Sequence, residues 1–302
     1  MSEVALPLFR DNTHIPDQTD LMGRLMVQKG LIHSDDLDRI LILQKQKGIR
    51  FGEAAQSLGL VTAEDVKAVL AEQFAYPVVA RPASEVSLHP RLIAAYQPAH
   101  PRVEALRSLR SELMLRYFNQ PDNKMLAIVG VDSEAGIRDL ATNLAVVIAQ
   151  TGARTLLIDG NLRDPCLHEW FGLPNLRGLS DALAGRSSVI PRHCPPLDTL
   201  WLLNGGTVAP NPQELLAHKR YQNLMTQLVA KFDAVIINTP VLGDNLNAQL
   251  VAARSGAALM VARENHTPLR SLDKASHRLR ELGVAVTGVA LSHCQARPGI
   301  SG

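Results

Sequence analysis

The sequence predicts an α/β chain with a mainly parallel sheet, preceded by a small all-helical domain made of two repeats. Short apolar runs alternate with helical segments beyond residue 125, the pattern of a parallel sheet with helices on both faces. Residues 21–44 and 50–73 carry one pattern twice, 29 residues apart. Between these regions, residues 80–101 hold four prolines and no sustained period. The implied organisation is a flexible tail over 1–19, a helical repeat module over 20–79, a linker over 80–101, an α/β domain over 102–296 and a tail over 297–302.

Composition narrows the function class. Of 302 residues, 46% are hydrophobic, enough for a real core, and the formal net charge is +2. That balance does not point to nucleic acid or to a strongly acidic partner. Cys166, Cys194 and Cys294 show no metal spacing and read as reduced thiols. The histidines, among them His14, His33, His168, His193 and His293, form no metal motif, so no metal site is expected. Neither the first 20 residues nor any later window offers a signal peptide or the roughly 18 apolar residues of a membrane span. A cytoplasmic protein is expected, with any membrane role exercised through a partner.

In the repeat, Gly23 meets Gly52, Gly30 meets Gly59, Leu37 meets Val66, Leu41 meets Leu70 and Gln44 meets Gln73. Each unit reads as two short helices broken after the second glycine. Ser34 is the expected cap of the second helix in unit one, and Thr62 with Asp65 forms a capping box in unit two. Leu37, Leu41 and Gln44 share one helix face at i, i+4, i+7, as do Val66, Leu70 and Gln73. Taken alone, such a stripe is either core or a ligand surface.

After the proline-rich segment, RVEALRSLRSELMLRYF reads as a helix that places Glu104, Arg107 and Arg110 along one face. They either bridge to a neighbouring subunit or form an ordinary charged face. Strands are expected over 125–131, 153–160, 232–240, 256–263 and 282–294. Between the first two, DLATNLAVVIAQTG reads as the helix that follows a phosphate-binding loop, G-x-x-x-x-G-K-[ST].

These motifs resemble two families. The doubled R-L-G-x-x-[LV]-[LV]-x-x-G pattern, each copy ending L-x3-L-x2-Q, resembles the MshEN-type cyclic-di-GMP receptor module of type II secretion and type IV pilus ATPases. The resemblance implies a ligand surface of Met22, Gly23, Leu37, Leu41, Gln44, Arg50, Phe51, Gly52, Val66, Leu70 and Gln73. Aliphatic side chains would cover guanine, an amide would bond its edge, and an arginine would stack on base and phosphate. Unit one has Leu21 where the pattern has arginine, with Arg24 as the nearest replacement; losing one such contact weakens binding by ~1–3 kcal/mol. The rest of the chain is similar to the bacterial tyrosine autokinases of exopolysaccharide export, a MinD/ParA-like branch of P-loop proteins. TLLIDGNLRDP, GLSDALAGR, APNPQELLA and the E-x2-R-x2-R helix carry that resemblance. It implies a chain-length determinant (polysaccharide copolymerase) as membrane partner, and self-association or pairing with an active kinase paralogue through Glu104, Arg107 and Arg110.

Against this family pattern the nucleotide machinery is degenerate. The loop lysine is Ile137 and the Mg²⁺-binding hydroxyl is Arg138; Gly136 is retained. In the Walker A′ segment Asp159 and Arg163 remain, but the second aspartate is Asn161. The Walker B aspartate is Asn238. Asp132, Glu134 and Asp139 turn the loop acidic, and SHCQARPGISG at the end of the sequence holds no tyrosine, the four being Tyr76, Tyr96, Tyr117 and Tyr221. Amides are poor ligands for a hard cation, so Mg·ATP is not expected to bind. The expectation is a pseudokinase that regulates exopolysaccharide synthesis or export, with cyclic-di-GMP as ligand. The alternatives are a divergent active tyrosine autokinase or ATPase, in which Arg138 replaces the lysine, and a MinD/ParA-like positioning protein.

Overall fold

A computed structural model of the chain describes residues 22, 23, 25–27, 29–73, 88–188, 190–243 and 246–292, with 71–73 described in backbone alone. Leu21, Arg24, the Gln73 side chain, Tyr76, His14, His293, Cys294 and both expected tails lie outside the described residues. The chain divides into two units, Met1–Tyr76 and Pro77–Gly302.

In the first unit, residues 22, 23 and 25–27 are helical, followed by α1 (Ser34–Lys47), α2 (Phe51–Ser57) and α3 (Ala63–Gln73). The repeat recurs in its turns. Gly30 and Gly59 have φ of +68° and +69°, and each closes a left-handed helix end. Leu31 N–H donates to the Met26 carbonyl at 2.9 Å, and Leu60 N–H to the Ala55 carbonyl at 3.1 Å. This bond satisfies an orphan carbonyl of the last turn, and glycine adopts the left-handed backbone without a Cβ clash. Thr62 caps α3 as expected: Asp65 N–H donates to Thr62 Oγ1 at 3.1 Å, and Thr62 N–H donates to Asp65 Oδ2 at 2.8 Å. Ser34 is not the cap of α1. It is the first helical residue, and His33 holds the cap position, its N–H donating to Asp36 Oδ2 at 3.1 Å.

The core of this unit comes from Met22, Met26, Ile40, Phe51, Ala54 and Val69, with Ile32, Ala55 and Val61. The Leu37/Leu41/Gln44 stripe is not its centre. Ile40 is the fully buried residue of α1, while Leu41 and its repeat mate Leu70 are each 37% exposed.

The second unit is a seven-stranded sheet in the order β3-β4-β2-β5-β1-β6-β7. Its strands are β1 (Met125–Gly130), β2 (Thr155–Asp159), β3 (Arg192–Cys194), β4 (Leu197–Leu203), β5 (Ala234–Asn238), β6 (Ala257–Arg263) and β7 (Ala285–Ser292). All neighbours pair in parallel except β3 with β4. The five expected strands are present; β3 and β4 were not anticipated. Helices α4 (Ile93–Tyr96), α5 (Pro101–Leu113) and α6 (Glu134–Ala149) enclose one core with the sheet. Helices α8 (Leu179–Leu183), α9 (Pro212–Ala217), α10 (Lys219–Val229), α11 (Leu246–Ser255) and α12 (Leu269–Glu281) enclose the other. Short α7 (Leu167–Trp170) follows β2 and packs its Leu167 and Trp170 into the first core.

The expected linker needs correction. From Leu88 onward it is part of this unit, with Leu88, Leu92, Ala94 and Ala95 at 1% exposure or less. Asn143 of α6 holds it: Asn143 Oδ1 accepts from Ala94 N–H at 3.0 Å, and Nδ2 donates to the Arg91 carbonyl at 3.0 Å. Gln150 Nε2 donates to the Ala94 carbonyl at 2.9 Å. Three prolines of the segment sit in turns or at the first position of α5, where a missing N–H is harmless. Among the described residues no helix is long and apolar enough to cross a membrane.

Candidate functional site

Strands β1, β5 and β2 lie side by side, with Ile128 opposite Asn238 and Asn238 opposite Asp159. The C-terminal ends of these strands and the loops that follow them carry Gly136, Ile137, Arg138, Asp159, Asn161 and Asn238, at the sheet edge where open α/β sheets bind ligands. Arg163 is on the same loop as Asn161 and is exposed.

Only residues 131–133 separate β1 from α6. Ser133 caps the helix. Its Oγ accepts from Gly136 N–H at 3.2 Å, and its carbonyl accepts from Ile137 N–H at 3.2 Å. A phosphate loop leaves such N–H groups facing the anion; here two of them are turned onto the chain itself. Ile137 is fully buried. Its Cγ1 lies 2.8 Å from where a Cβ on Gly130 would stand. The position that should carry a cation over a phosphate is therefore a core residue, admitted by the bare glycine at the end of β1.

Arg138 sits beside Asp164, Nη2 to Oδ2 3.8 Å, with its side chain 22% exposed. The acidic character expected of the loop is mostly neutralised. Asp132 accepts from Thr267 Oγ1 and from Arg263 Nε at 3.3 Å. Asp139 accepts from Arg102 Nη2 at 2.7 Å and has Arg91 Nε at 3.7 Å.

Asp159 is the one carboxylate left at the expected Mg²⁺ positions, and four donors already occupy it. Oδ1 accepts from Asn161 N–H at 3.3 Å and Asn238 Nδ2 at 3.1 Å. Oδ2 accepts from Cys166 N–H at 2.9 Å and Leu167 N–H at 3.0 Å. Burial pushes this carboxyl up, against those four bonds. Asn161 Oδ1 accepts from Asp164 N–H at 3.3 Å, which folds its loop. Asp159 thus pins the turn after β2. Burial also raises the Cys166 thiol to about 12, so it stays protonated and unreactive.

Two family-like segments brace this sheet edge. Leu179 N–H donates to the Asn204 carbonyl at 2.8 Å, and Ser180 N–H to the Gly205 carbonyl at 2.9 Å. Asp181 accepts from Gly178 N–H at 3.1 Å, Thr207 N–H at 3.0 Å and Thr207 Oγ1 at 2.8 Å. Burial alone would raise the Asp181 carboxyl, but these donors outweigh it and hold the group below the usual carboxylate range. Ala209 N–H donates to the Leu162 carbonyl at 2.9 Å, joining the brace to the β2 loop. The sequence reading missed Asp181 as the centre of this brace.

On α5, Glu104 is exposed, while both arginines bend back onto their own chain. Arg107 Nη1 donates to the Pro98 carbonyl at 2.8 Å and to Glu104 Oε2 at 3.3 Å. Arg110 Nη1 donates to the Val147 carbonyl at 3.1 Å.

No protein-family model matches the chain. Tyrosine-protein kinase wzc of Salmonella typhi is 36% identical over 203 residues, which are 67% of this chain and 28% of that protein. The solved kinase domain of the Escherichia coli tyrosine kinase ETK superposes with a TM-score of 0.62 at 31% identity, over 71% of this chain and 84% of that one. The chain belongs to the bacterial tyrosine kinase family. Within that family it corresponds to the kinase domain, spanning little more than a quarter of wzc. The Pyrococcus furiosus cell division ATPase MinD shares the fold, with a TM-score of 0.50 at 24% identity over 56% of this chain and 71% of that one. Measured against the G-x-x-x-x-G-K-[ST] pattern, this family member has a buried isoleucine in place of the lysine and Arg138 in place of the hydroxyl.

In the helical unit, Gly23 and Gly52 were expected on the ligand surface. A helical neighbour already occupies each. A Cβ on Gly23 would lie 2.7 Å from Leu37 Cδ2 and 3.3 Å from Phe51 Cζ; one on Gly52 would lie 2.6 Å from Val66 Cγ1 and 3.6 Å from Met22 Cε. The contacts interchange the two repeats: Met22 reaches Gly52 and Phe51 reaches Gly23. Met22 and Phe51 are core, Leu37 and Val66 half-buried, and Arg50, Leu41 and Leu70 exposed. Gln44 Oε1 is buried with no hydrogen-bond partner among the described residues.

Proposed function

We propose that this member of the bacterial tyrosine kinase family is a non-catalytic regulator of exopolysaccharide synthesis or export. The observation that carries the reading is Ile137, fully buried against Gly130 where the family pattern requires a lysine. The saturated carboxylate of Asp159 and the amide at position 238 support it. In this reading the α/β unit is kept for protein contacts at the inner face of the membrane. Its partners are a chain-length determinant (polysaccharide copolymerase), an active kinase paralogue or a second copy of itself.

The helical unit senses cyclic-di-GMP in this reading. The exposed pair Leu41 and Leu70, the exposed Arg50 and the unpartnered Gln44 Oε1 support it, since they offer flat apolar cover, a cation and a free acceptor. Gly23 and Gly52 then serve the packing that holds the two repeats together.

A divergent active tyrosine kinase is the second reading, and the relatives' names favour it: wzc is a tyrosine-protein kinase, and a Klebsiella pneumoniae relative is a putative tyrosine-protein kinase in the cps region. A MinD-like positioning role rests on fold alone. Calorimetric titration separates the first two, and dependence on a polysaccharide copolymerase separates the third. The expected result is micromolar cyclic-di-GMP binding, lost in Arg50→Ala, with no heat from ATP and Mg²⁺. Binding of ATP with Mg²⁺ would instead support the enzyme, and silence toward cyclic-di-GMP would remove the sensing half of the proposal.

A further inference from the structure

A concave site lies beside the first residue of the degenerate loop. It is a cavity of about 520 Å³ between α11, α12 and the end of β1. This is within the size range of small-molecule sites. Its floor is apolar: Val131, the residue after β1, with Leu242 and Ala275. Floor and wall are one piece, because Leu242 N–H donates to the Gly130 carbonyl at 2.7 Å.

The polar lining comes mostly from α12, with Ser271, Lys274, His277, Arg278 and Glu281, and Gln249 of α11 completes it. Ser271, Lys274, Ala275 and Arg278 follow i, i+3, i+4, i+7 and line the cavity together. Arg278 is held in place, its Nε donating to Gln249 Oε1 at 3.2 Å and its Nη1 to Glu281 Oε2 at 3.4 Å. Lys274 has no acidic partner among the described residues, although it lines the same cavity. The neighbouring acid on its helix, Asp273, faces His277 at 3.8 Å. Two cations one turn apart, a serine hydroxyl, the His277 imidazole, the Gln249 amide and one acid, beside apolar lining, make a site that favours an anion with a small apolar or sugar-like body.

We propose that this cavity binds a phosphate-bearing small molecule, gripped by Lys274 and Arg278 and seated on Val131 and Leu242. Arg278 offers planar donors to phosphate oxygens and Lys274 a point charge, while Ser271 can donate one bond. The seat is the loop after β5 that is tied to Gly130, so an occupant would bear directly on the degenerate site. The proposal is independent of cyclic-di-GMP sensing and of the pseudokinase reading.

The test uses the whole chain, isotope-labelled, titrated with pyrophosphate and observed by amide chemical-shift perturbation. Shifts are expected at Val131, Gly243, Lys274 and Ala275, with Kd weakened about tenfold or more in Lys274→Gln and separately in Arg278→Gln. Phosphate and citrate at equal ionic strength distinguish phosphate recognition from attraction to any polyanion. Shifts confined to Ser133–Arg138 would place the anion at the loop and overturn the proposal. So would equal binding of citrate, unchanged affinity in both variants, or no shifts up to roughly 10 mM, which is weaker than about −3 kcal/mol.

Discussion

At position 137 a lysine would need an exit past Gly130 toward a bound phosphate. The isoleucine found there is sealed in the core, and β1 supplies a glycine to make room for it. A single reversion should therefore fail as a repair. Ile137→Lys would bury an ammonium beside a strand end, and we expect it to destabilise the α/β unit by ~2–4 kcal/mol in chemical denaturation. No Mg·ATP binding should appear, because Arg138 and Asn238 still lack the metal ligands. Recovery of nucleotide binding by that one change would contradict the packing argument. Residues of this kind were legible as substitutions in the sequence. Their present partners were not: Asp139 finds Arg102 across 37 positions and Asp132 finds Arg263 across 131. Only the fold brings those pairs together, so a loop that reads as acidic is largely neutralised.

Among the elements, the repeat was the most legible, since period and capping residues are written in each copy. The role of its glycines was not, because a glycine against a ligand and a glycine against a helix look alike in sequence. Gly52→Leu is expected to lower the stability of the helical unit by ~1–3 kcal/mol, because Val66 Cγ1 already stands 2.6 Å from the position of a Cβ there. A thermal melt of the whole chain would show unfolding of the helical unit shifted to lower temperature; an unchanged melt would refute the packing role. The five strands expected from apolar runs are all present, but β4 was hidden behind Pro195-Pro196 and a short β3. Residues 88–96 read as linker for a related reason: the prolines of 80–101 are visible, but a single buried turn has no period to detect.

For the molecule as a whole, acid sensitivity follows from carboxylates held below their ordinary range. The Thr62 hydroxyl holds Asp65 down, the Arg154 side chain holds Asp233 down, and Asp181 is held by Thr207 and Gly178 against its burial. A depressed folded pKa contributes stability that is present above the unfolded value and lost as pH falls through the folded one. The melting temperature should therefore drop below about pH 4, the ordinary carboxylate range. Asp181→Asn should lower stability at neutral pH by ~1–3 kcal/mol and flatten that acid limb, measured by melts across a pH series. An unchanged slope in the variant would remove Asp181 from the account.

The clamp of Asn143 and Gln150 on residues 91–94 has a consequence for how such chains are assembled and cut. Helix α6 has given part of its surface to a segment that precedes the α/β fold in the chain. An excised domain that began at α5 would leave that surface raw, with Asn143 and Gln150 losing their partners Arg91 and Ala94. The seam along which a different N-terminal unit could be grafted, by evolution or by cloning, therefore runs ahead of Leu88. Any fusion partner inherits the strap with the body it fastens.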